Sequence, residues 1–454
     1  MPQNRGDIYE TARRLGHVPI IENELVQEEL ENFNTKEVDG DDAPITENTV
    51  AIENLPDEGE DLTYLLSIDG SLNEIPTNEE YPSNRIGFIQ VAAVLTKLDI
   101  LQEQQQERFV DPARIDDLEN SVSQPVILPS SNYTAREAMT TRESWRRHLY
   151  ETFRSRQIED QTYLDIFMNI IKSDLRHIDE RTVDVYRCPN EDCPTDGTEA
   201  HIYTDIHDLG RCDDCGVEVY PTDALRTHER VSETQTNGAA ISAVMQVLEH
   251  LTLCAYLLFL SNNNPERLSR VGFVVDGPLA VYDTPAWFHE PVLSTIQRVS
   301  EKQSQLGYSP PVIVGVEKSG QFKDHALNIK ESMSAGSVLG MDNHYVYEYV
   351  KSGSTDLEYG ERDHYGWPFI YKSQSDRIFV LDLPQLPTGA DKYDPQNYSL
   401  MRKTLESISS VETALYDDAT IPITLAHQSA SIPLKTGTRV LELFTREFVE
   451  DESS

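Results

Sequence analysis

Two stretches of this chain run from apolar residues straight into a carboxylate and then into glycine. They are Tyr64-Leu65-Leu66-Ser67-Ile68-Asp69-Gly70-Ser71 and Gly272-Phe273-Val274-Val275-Asp276-Gly277-Pro278-Leu279. Each reads as a buried strand that ends on its aspartate, with the chain turning at the glycine. Two such strands in one sheet bring two carboxylates to the same edge. Crowded carboxylates repel, and a divalent cation is the usual compensation. Glu249 adds a third, from the middle of the apolar helical run Ala239–Leu260 that precedes the second strand. Carboxylates from two strands and one helix would let two divalent ions straddle a scissile phosphate, one activating water and the other stabilising the leaving oxygen. Taken singly, each Asp-Gly also has a plain reading as a turn.

A second constellation is soft. Cys188-x4-Cys193 and Cys212-x2-Cys215 place two close thiol pairs near turn residues Gly197, Gly210, Asp213 and Asp214. Two such pairs converge on a tetrahedral site that zinc fills best, giving a structural zinc ribbon. Two disulfides are the alternative, disfavoured in a reducing compartment. His201 and His207 lie inside the span and are not needed as ligands, while Cys254 reads as a packed thiol of the apolar helix. Arg142, Arg146, Arg147, Arg154 and Arg156 form the most basic stretch. It is either a solvated helix face or a phosphate-contacting helix, with Arg142, Arg146 and Arg147 as candidate nucleic-acid contacts.

The elements that must carry these groups alternate strand and helix, which predicts an α/β layered core interrupted by an insertion. The segments read as an acidic N-terminal arm (1–61), a first core part (62–106), a helical insertion (107–183), the ribbon (184–222) and a second core part (223–454). Within the arm, Glu22–Glu31 reads as a helix with Leu25, Leu30 and Phe33 to bury; 436–448 reads as a further helix. Asp and Glu number 78 against 38 Lys and Arg, a formal charge of -40. With lysine rarer than arginine, this reads as the surface of a protein from a high-salt cytoplasm, where self-repulsion is screened. Acidic interaction segments are the other reading. The charge argues against a non-specific nucleic-acid binder, which needs a basic face, but leaves room for a recessed site using metal ions. No run reads as long enough to span a membrane, and Met1-Pro2-Gln3-Asn4-Arg5 does not open a signal peptide, so the expected location is cytoplasmic.

Four short motifs, in order, carry a family resemblance: Ile68-Asp69-Gly70-Ser71, Val274-Val275-Asp276-Gly277-Pro278-Leu279, Gly315-Val316-Glu317-Lys318-Ser319 and Pro422-Ile423-Thr424-Leu425-Ala426-His427. The chain resembles the NurA nucleases over roughly residues 62–100 and 244–435. The resemblance implies an RNase H-like mixed-sheet core flanked by helices, here with a helical and four-cysteine zinc-ribbon insertion. It implies a Mn2+- or Mg2+-dependent deoxyribonuclease, acting as a homodimer with a HerA-type hexameric ATPase in DNA end resection and repair, or in phage defence. Residue by residue, Asp69 and Asp276 match the metal-binding aspartates, and Glu249 matches the helical glutamate, with Glu266 as competitor. His427 matches a C-terminal histidine that is a metal ligand or phosphate contact; a packed helix histidine is the alternative. Lys318 would neutralise a phosphate oxygen. Ala419-Thr420-Ile421 stand where the family tends to place a tyrosine, with Tyr416 one turn earlier. The competing function is a non-cleaving adaptor using the ribbon and the acidic arm, and a third is a nucleic-acid-binding ribbon on an inert core.

Overall fold

The structure is a computed structural model that describes residues 18–33, 43–77, 81–99, 101, 120–135, 140–172, 182–193, 202–205, 209–353, 357–386, 391–412 and 420–432, with Asn4–Arg5 and Ile8–Tyr9. His201, His207, Gly197, Tyr416, Ala419 and the helix expected over 436–448 lie outside these residues.

The chain separates into an N-terminal unit, Met1–Ala43, and a main unit, Pro44–Ser454. In the first, Glu24–Glu31 is a helix capped by the Asn23 side chain, which accepts from the Leu25 N–H at 3.0 Å. Leu25, Leu30 and Phe33, read as something for this helix to bury, are all exposed.

The main unit is built on one nine-stranded mixed sheet. Its strands are β1 (Thr49–Ala51), β2 (Tyr64–Pro76), β3 (Arg85–Lys97), β4 (Asn120–Pro129), β5 (Val271–Asp276), β6 (Val312–Glu317), β7 (Ser337–Gly340), β8 (Gly366–Lys372) and β9 (Ile378–Pro384), in the order β1-β7-β8-β9-β6-β5-β2-β3-β4. Two of these fall in segments read otherwise: β1 within the acidic arm and β4 within the helical insertion. The long hairpin β2–β3 and its neighbour β4 are antiparallel, whereas β2, β5 and β6 run parallel.

One expectation fails here. Asp69 is not the last residue of its strand, because β2 runs on to Pro76, with Asp69 opposite Ala92 and Gly70 opposite Val91. The turn tendency of Asp-Gly yields to thirteen consecutive cross-strand pairs. What does end at this level is β5, whose pairing with β2 stops at Val275 opposite Ile68. Asp69 therefore lies just past the last parallel pair, beside the end of β5.

Helices cover both faces. They include α1 (Thr141–Ser155), α2 (Tyr163–Lys172), α3 (Gly238–Asn263), α4 (His289–Gln305), α5 (Met401–Ser410) and α6 (Ile421–Ala430). On one face α3 packs Val247, Leu248 and Leu251 in the same core as Leu66, Ile68, Phe273 and Val275. By length and composition α3 could cross a membrane, contrary to the sequence reading, but 72% of its apolar window is buried inside the protein. On the other face Leu425 and Ala426 of α6 cover Val94. Strand alternation sends Ile68 and Gly70 of β2 toward α3, and Asp69 and Ser71 toward α6. Accordingly the Ser71 hydroxyl donates to the Ala430 carbonyl on α6.

Arg146 is structural, which corrects its reading as a phosphate contact, while Arg147, Arg154 and Arg156 are exposed. Arg146, 4% exposed, points inward from α1 and clamps Asp223 with two bonds of 2.8 and 2.7 Å. Its second terminal nitrogen also donates to the Glu218 carbonyl at 2.6 Å. Arg142 pairs with Glu191 and reaches the Val231 carbonyl. Arg147 alone of the three lines an open cleft, with Tyr150, Arg154, Glu218 and Tyr220. Arg146→Met would strand the fully buried Asp223 carboxylate, so urea denaturation should show a loss of about 3 kcal/mol.

Candidate metal centres

The acidic site is assembled from four elements far apart in sequence. Asp69 comes from the middle of β2, Asp276 from the end of β5 and His427 from α6, and one ligand atom of each lies within 4.8 Å of the others. His427 Nδ1 sits 2.8 Å from Asp69 Oδ2, while the Gly70 N–H donates to Asp69 Oδ1 at 2.8 Å. Lys318, following β6, donates to Asp276 Oδ2 at 2.6 Å. The His427 side chain is 59% exposed, so this histidine faces outward over the carboxylates rather than packing in its helix.

Glu249 approaches from the opposite face of the sheet and is not among the three ligand atoms of that cluster. It sits on α3, 9% exposed, and its carboxyl comes so close to Gly70 that a Cβ there would lie 2.6 Å from Oε1. The glycine of the Asp-Gly pair thus leaves room for the Glu249 carboxyl against β2 and is not a turn. Glu266, the competitor, is exposed and precedes the start of β5, at the other end of the strand from Asp276.

Charge explains what the site would accept. Burial, then the Asp69 and Asp276 carboxylates, push Glu249 well above its ordinary 4.5. Burial and Asp276 likewise raise Asp69 above 3.8, against the opposing pull of His427 and Lys318. Burial and mutual repulsion bias both carboxyls toward their neutral forms. Hard oxygen donors with one imidazole suit Mg2+ or Mn2+, and the residues present fit such an ion.

The sign of the pH dependence follows. Raised carboxyls add stability below their ordinary range, near pH 4, and this is lost as pH rises through their elevated folded values. A cation binding the ionised forms restores it. The rise in melting temperature on adding Mn2+ should therefore be larger at about pH 8 than at about pH 5.5, and Asp69→Asn should shrink that difference.

The four cysteines form a separate centre. Cys188 and Cys215 Sγ are 3.6 Å apart, and Cys193 and Cys212 Sγ 3.7 Å. Disulfide bonding is excluded at these separations. A tetrahedral zinc with bonds of about 2.3 Å places its sulfurs about 3.8 Å apart, so the thiols fit that ion. One knuckle is closed by the Gly216 N–H to Cys212 carbonyl bond of 2.8 Å, with Gly216 at φ 72°. The other closes through Cys193 N–H to Asn190 carbonyl at 3.1 Å. Against the cost of burial, the Val217 N–H and neighbouring polar groups pull the Cys215 thiol down to about 7, which readies it for a cation at neutral pH. Cys254 is a buried thiol of α3.

Sequence reasoning gave no role to Asp382 or Glu317. Asp382 is fully buried in β9, and Glu317 ends β6 beside it on the α3 face. A carboxylate inside the apolar run Ile378-Phe379-Val380-Leu381-Asp382-Leu383 was the available signal.

No protein-family model matches the chain, and no curated protein matches it by sequence. Among solved structures, the NurA nuclease from Sulfolobus solfataricus aligns over 97% of this chain and 98% of its own, at 9% identity and a TM-score of 0.39. A second NurA crystal structure aligns over 96% and 97%, at 11% identity and a TM-score of 0.26. Neither superposition is close enough to carry function.

Proposed function

We propose that the protein is a metal-dependent DNA nuclease whose site is Asp69, Glu249, Asp276 and His427, with Lys318 beside it. The observation that carries this reading is convergence. Asp69, Asp276 and His427 meet within 4.8 Å, and the Glu249 carboxyl lies against Gly70, the residue next to Asp69, on the α3 side of the same strand. A Mn2+ or Mg2+ ion held there would supply charge against the scissile phosphate and activate the attacking water. Asp69, Asp276 and Glu249 hold that charge in place. Lys318 holds Asp276 and offers a cation to a phosphate oxygen, and His427 is placed to orient a ligand or contact phosphate. The antiparallel β4-β3-β2 strands followed by parallel β5 and β6 support an RNase H-like core.

The net charge of -40 opposes unaided capture of DNA. It fits delivery of the strand by a HerA-type hexameric ATPase to a homodimer, or a high-salt cytoplasm where repulsion is screened. The role is then DNA end processing in repair or defence. The test is cleavage of end-labelled linear DNA with Mn2+ at low and multimolar salt, alone and with a HerA-type partner. Chelator-sensitive cleavage is the expected result. Silence under every condition would remove the nuclease reading and favour the non-cleaving adaptor.

A further inference from the structure

The segment that follows Asp276 crosses the sheet instead of leaving it. The Gly277 N–H donates to the Val316 carbonyl at 2.9 Å, and the Leu279 carbonyl accepts from Tyr365 and Gly366 N–H at 2.9 and 3.0 Å. Side chains are absent where it passes: a Cβ at Gly315 would lie 2.5 Å from the Gly277 oxygen, and one at Gly366 2.6 Å from Leu279 Cβ. One donor of this crossing has no backbone partner. The Leu279 N–H goes to Asp382 Oδ2 at 3.0 Å.

Asp382 is an expensive way to satisfy one amide, because a wholly buried carboxylate loses its hydration. Its neighbour is Glu317, opposite Val380 and two residues along β6 from Gly315, which pairs with Asp382. No N–H or O–H among the described residues reaches Asp382 Oδ1, and the Glu317 carboxyl is the group facing it. One proton shared by the two carboxyls satisfies this contact and leaves Asp382 Oδ2 to accept from the Leu279 N–H. Burial raises Glu317 to about 7 and Asp382 above its ordinary range, with Lys351 opposing both. Lys318, the next residue after Glu317, grips the Asp276 side chain. Asp276 is thus held at both ends from β6 and β9.

We propose that Asp382, supported by Glu317, is a positioning residue for Asp276: through the Leu279 N–H it fixes the crossing segment that aims Asp276 at the metal site. This rests on the nuclease reading for what Asp276 does, and on geometry alone for how it is held.

Two readouts separate these. Hydrogen exchange at the Leu279 amide, with an α1 amide as control, reports the anchor without metal, and calorimetric titration with Mn2+ reports the site. Asp382→Leu keeps the branching of the side chain and removes the acceptor. It should speed exchange at Leu279 and weaken Mn2+ binding by about tenfold, whereas Asp382→Asn, whose amide oxygen still accepts, should stay within about threefold of wild type. Unchanged exchange at Leu279 in Asp382→Leu would overturn the proposal, as would a tenfold loss in Asp382→Asn. Should the leucine variant not fold, the asparagine variant decides alone by the same limits. Absence of Mn2+ binding by the wild type would sink the nuclease reading, leaving the exchange result to decide the anchor.

Discussion

Asp276→Asn should abolish cleavage while leaving the protein folded. The substitution is nearly isosteric, and the asparagine oxygen can still accept from Lys318 Nζ, which now donates to Oδ2 at 2.6 Å. What it removes is one negative charge from a site that needs anions to hold a cation. The direct loss is several kcal/mol of transition-state stabilisation, which amounts to about a 10³-fold fall in rate. The Asp276 side chain is 19% exposed and outside the buried core, so its melting temperature should stay within about 2 °C of wild type. A second consequence checks the electrostatics independently. Asp276 is, after burial, the main cause of the raised Asp69 pKa, so NMR titration of the metal-free variant should find Asp69 moved down. Cleavage within about tenfold of wild type would mean that Asp276 holds no metal in the reaction, because no single ligand of such a site is that dispensable.

The parts of this site that were legible in the sequence are those with a local signature. Asp69 and Asp276 stood out because apolar runs led into them, and the cysteine spacing announced a four-sulfur centre on its own. The strand end assigned to Asp69 was wrong because Asp-Gly reports a local turn preference, and the pairing of β2 with β3 overrides it over thirteen residues. Gly70 was read as the turn, although its use is to leave room for Glu249. Arg146 lay in a visibly basic stretch, yet its partner Asp223 is 77 positions away, a distance at which no periodicity speaks. Asp382 illustrates the same limit. One carboxylate in an apolar run signals that something is being satisfied, but only the fold shows that it is the Leu279 N–H, 103 positions earlier.

Cys212→Ser should empty the sulfur centre and unfold the ribbon without unfolding the sheet. The reason lies in how little sheet pairing holds that span, whose ends are tied to α1 and the core through Val185, Val219 and Tyr220. Its described strands form only two-stranded pairs, Thr182–Val185 with Ile202–Asp205 and Gly210–Arg211 with Glu218–Val219. Such pairs are marginal in water by themselves. A structural zinc contributes about 10–16 kcal/mol of apparent binding free energy, and in so small a unit that is folding free energy. Without the ion the four thiols lose their shared partner, and ionising more than one of them sets like charges about 4 Å apart. The damage should stop at the Arg146–Asp223 clamp and the Trp145 Nε1–Thr227 Oγ1 bond of 3.2 Å, which tie the following turn to α1 independently of the metal. Atomic emission should therefore find about one zinc per wild-type chain and none in the variant. Limited proteolysis should cut between residues 186 and 218 at least about tenfold faster, as local unfolding exposes that backbone, while the melting of the sheet is little changed. A strong chelator should reproduce the pattern in the wild type. If wild-type protein carries no zinc and its digestion ignores the chelator, the sulfur cluster is a packed group of thiols and the ribbon stands on its own contacts. If the whole chain unfolds instead, the centre supports the core as well, and the clamp at Arg146 is too weak to separate them.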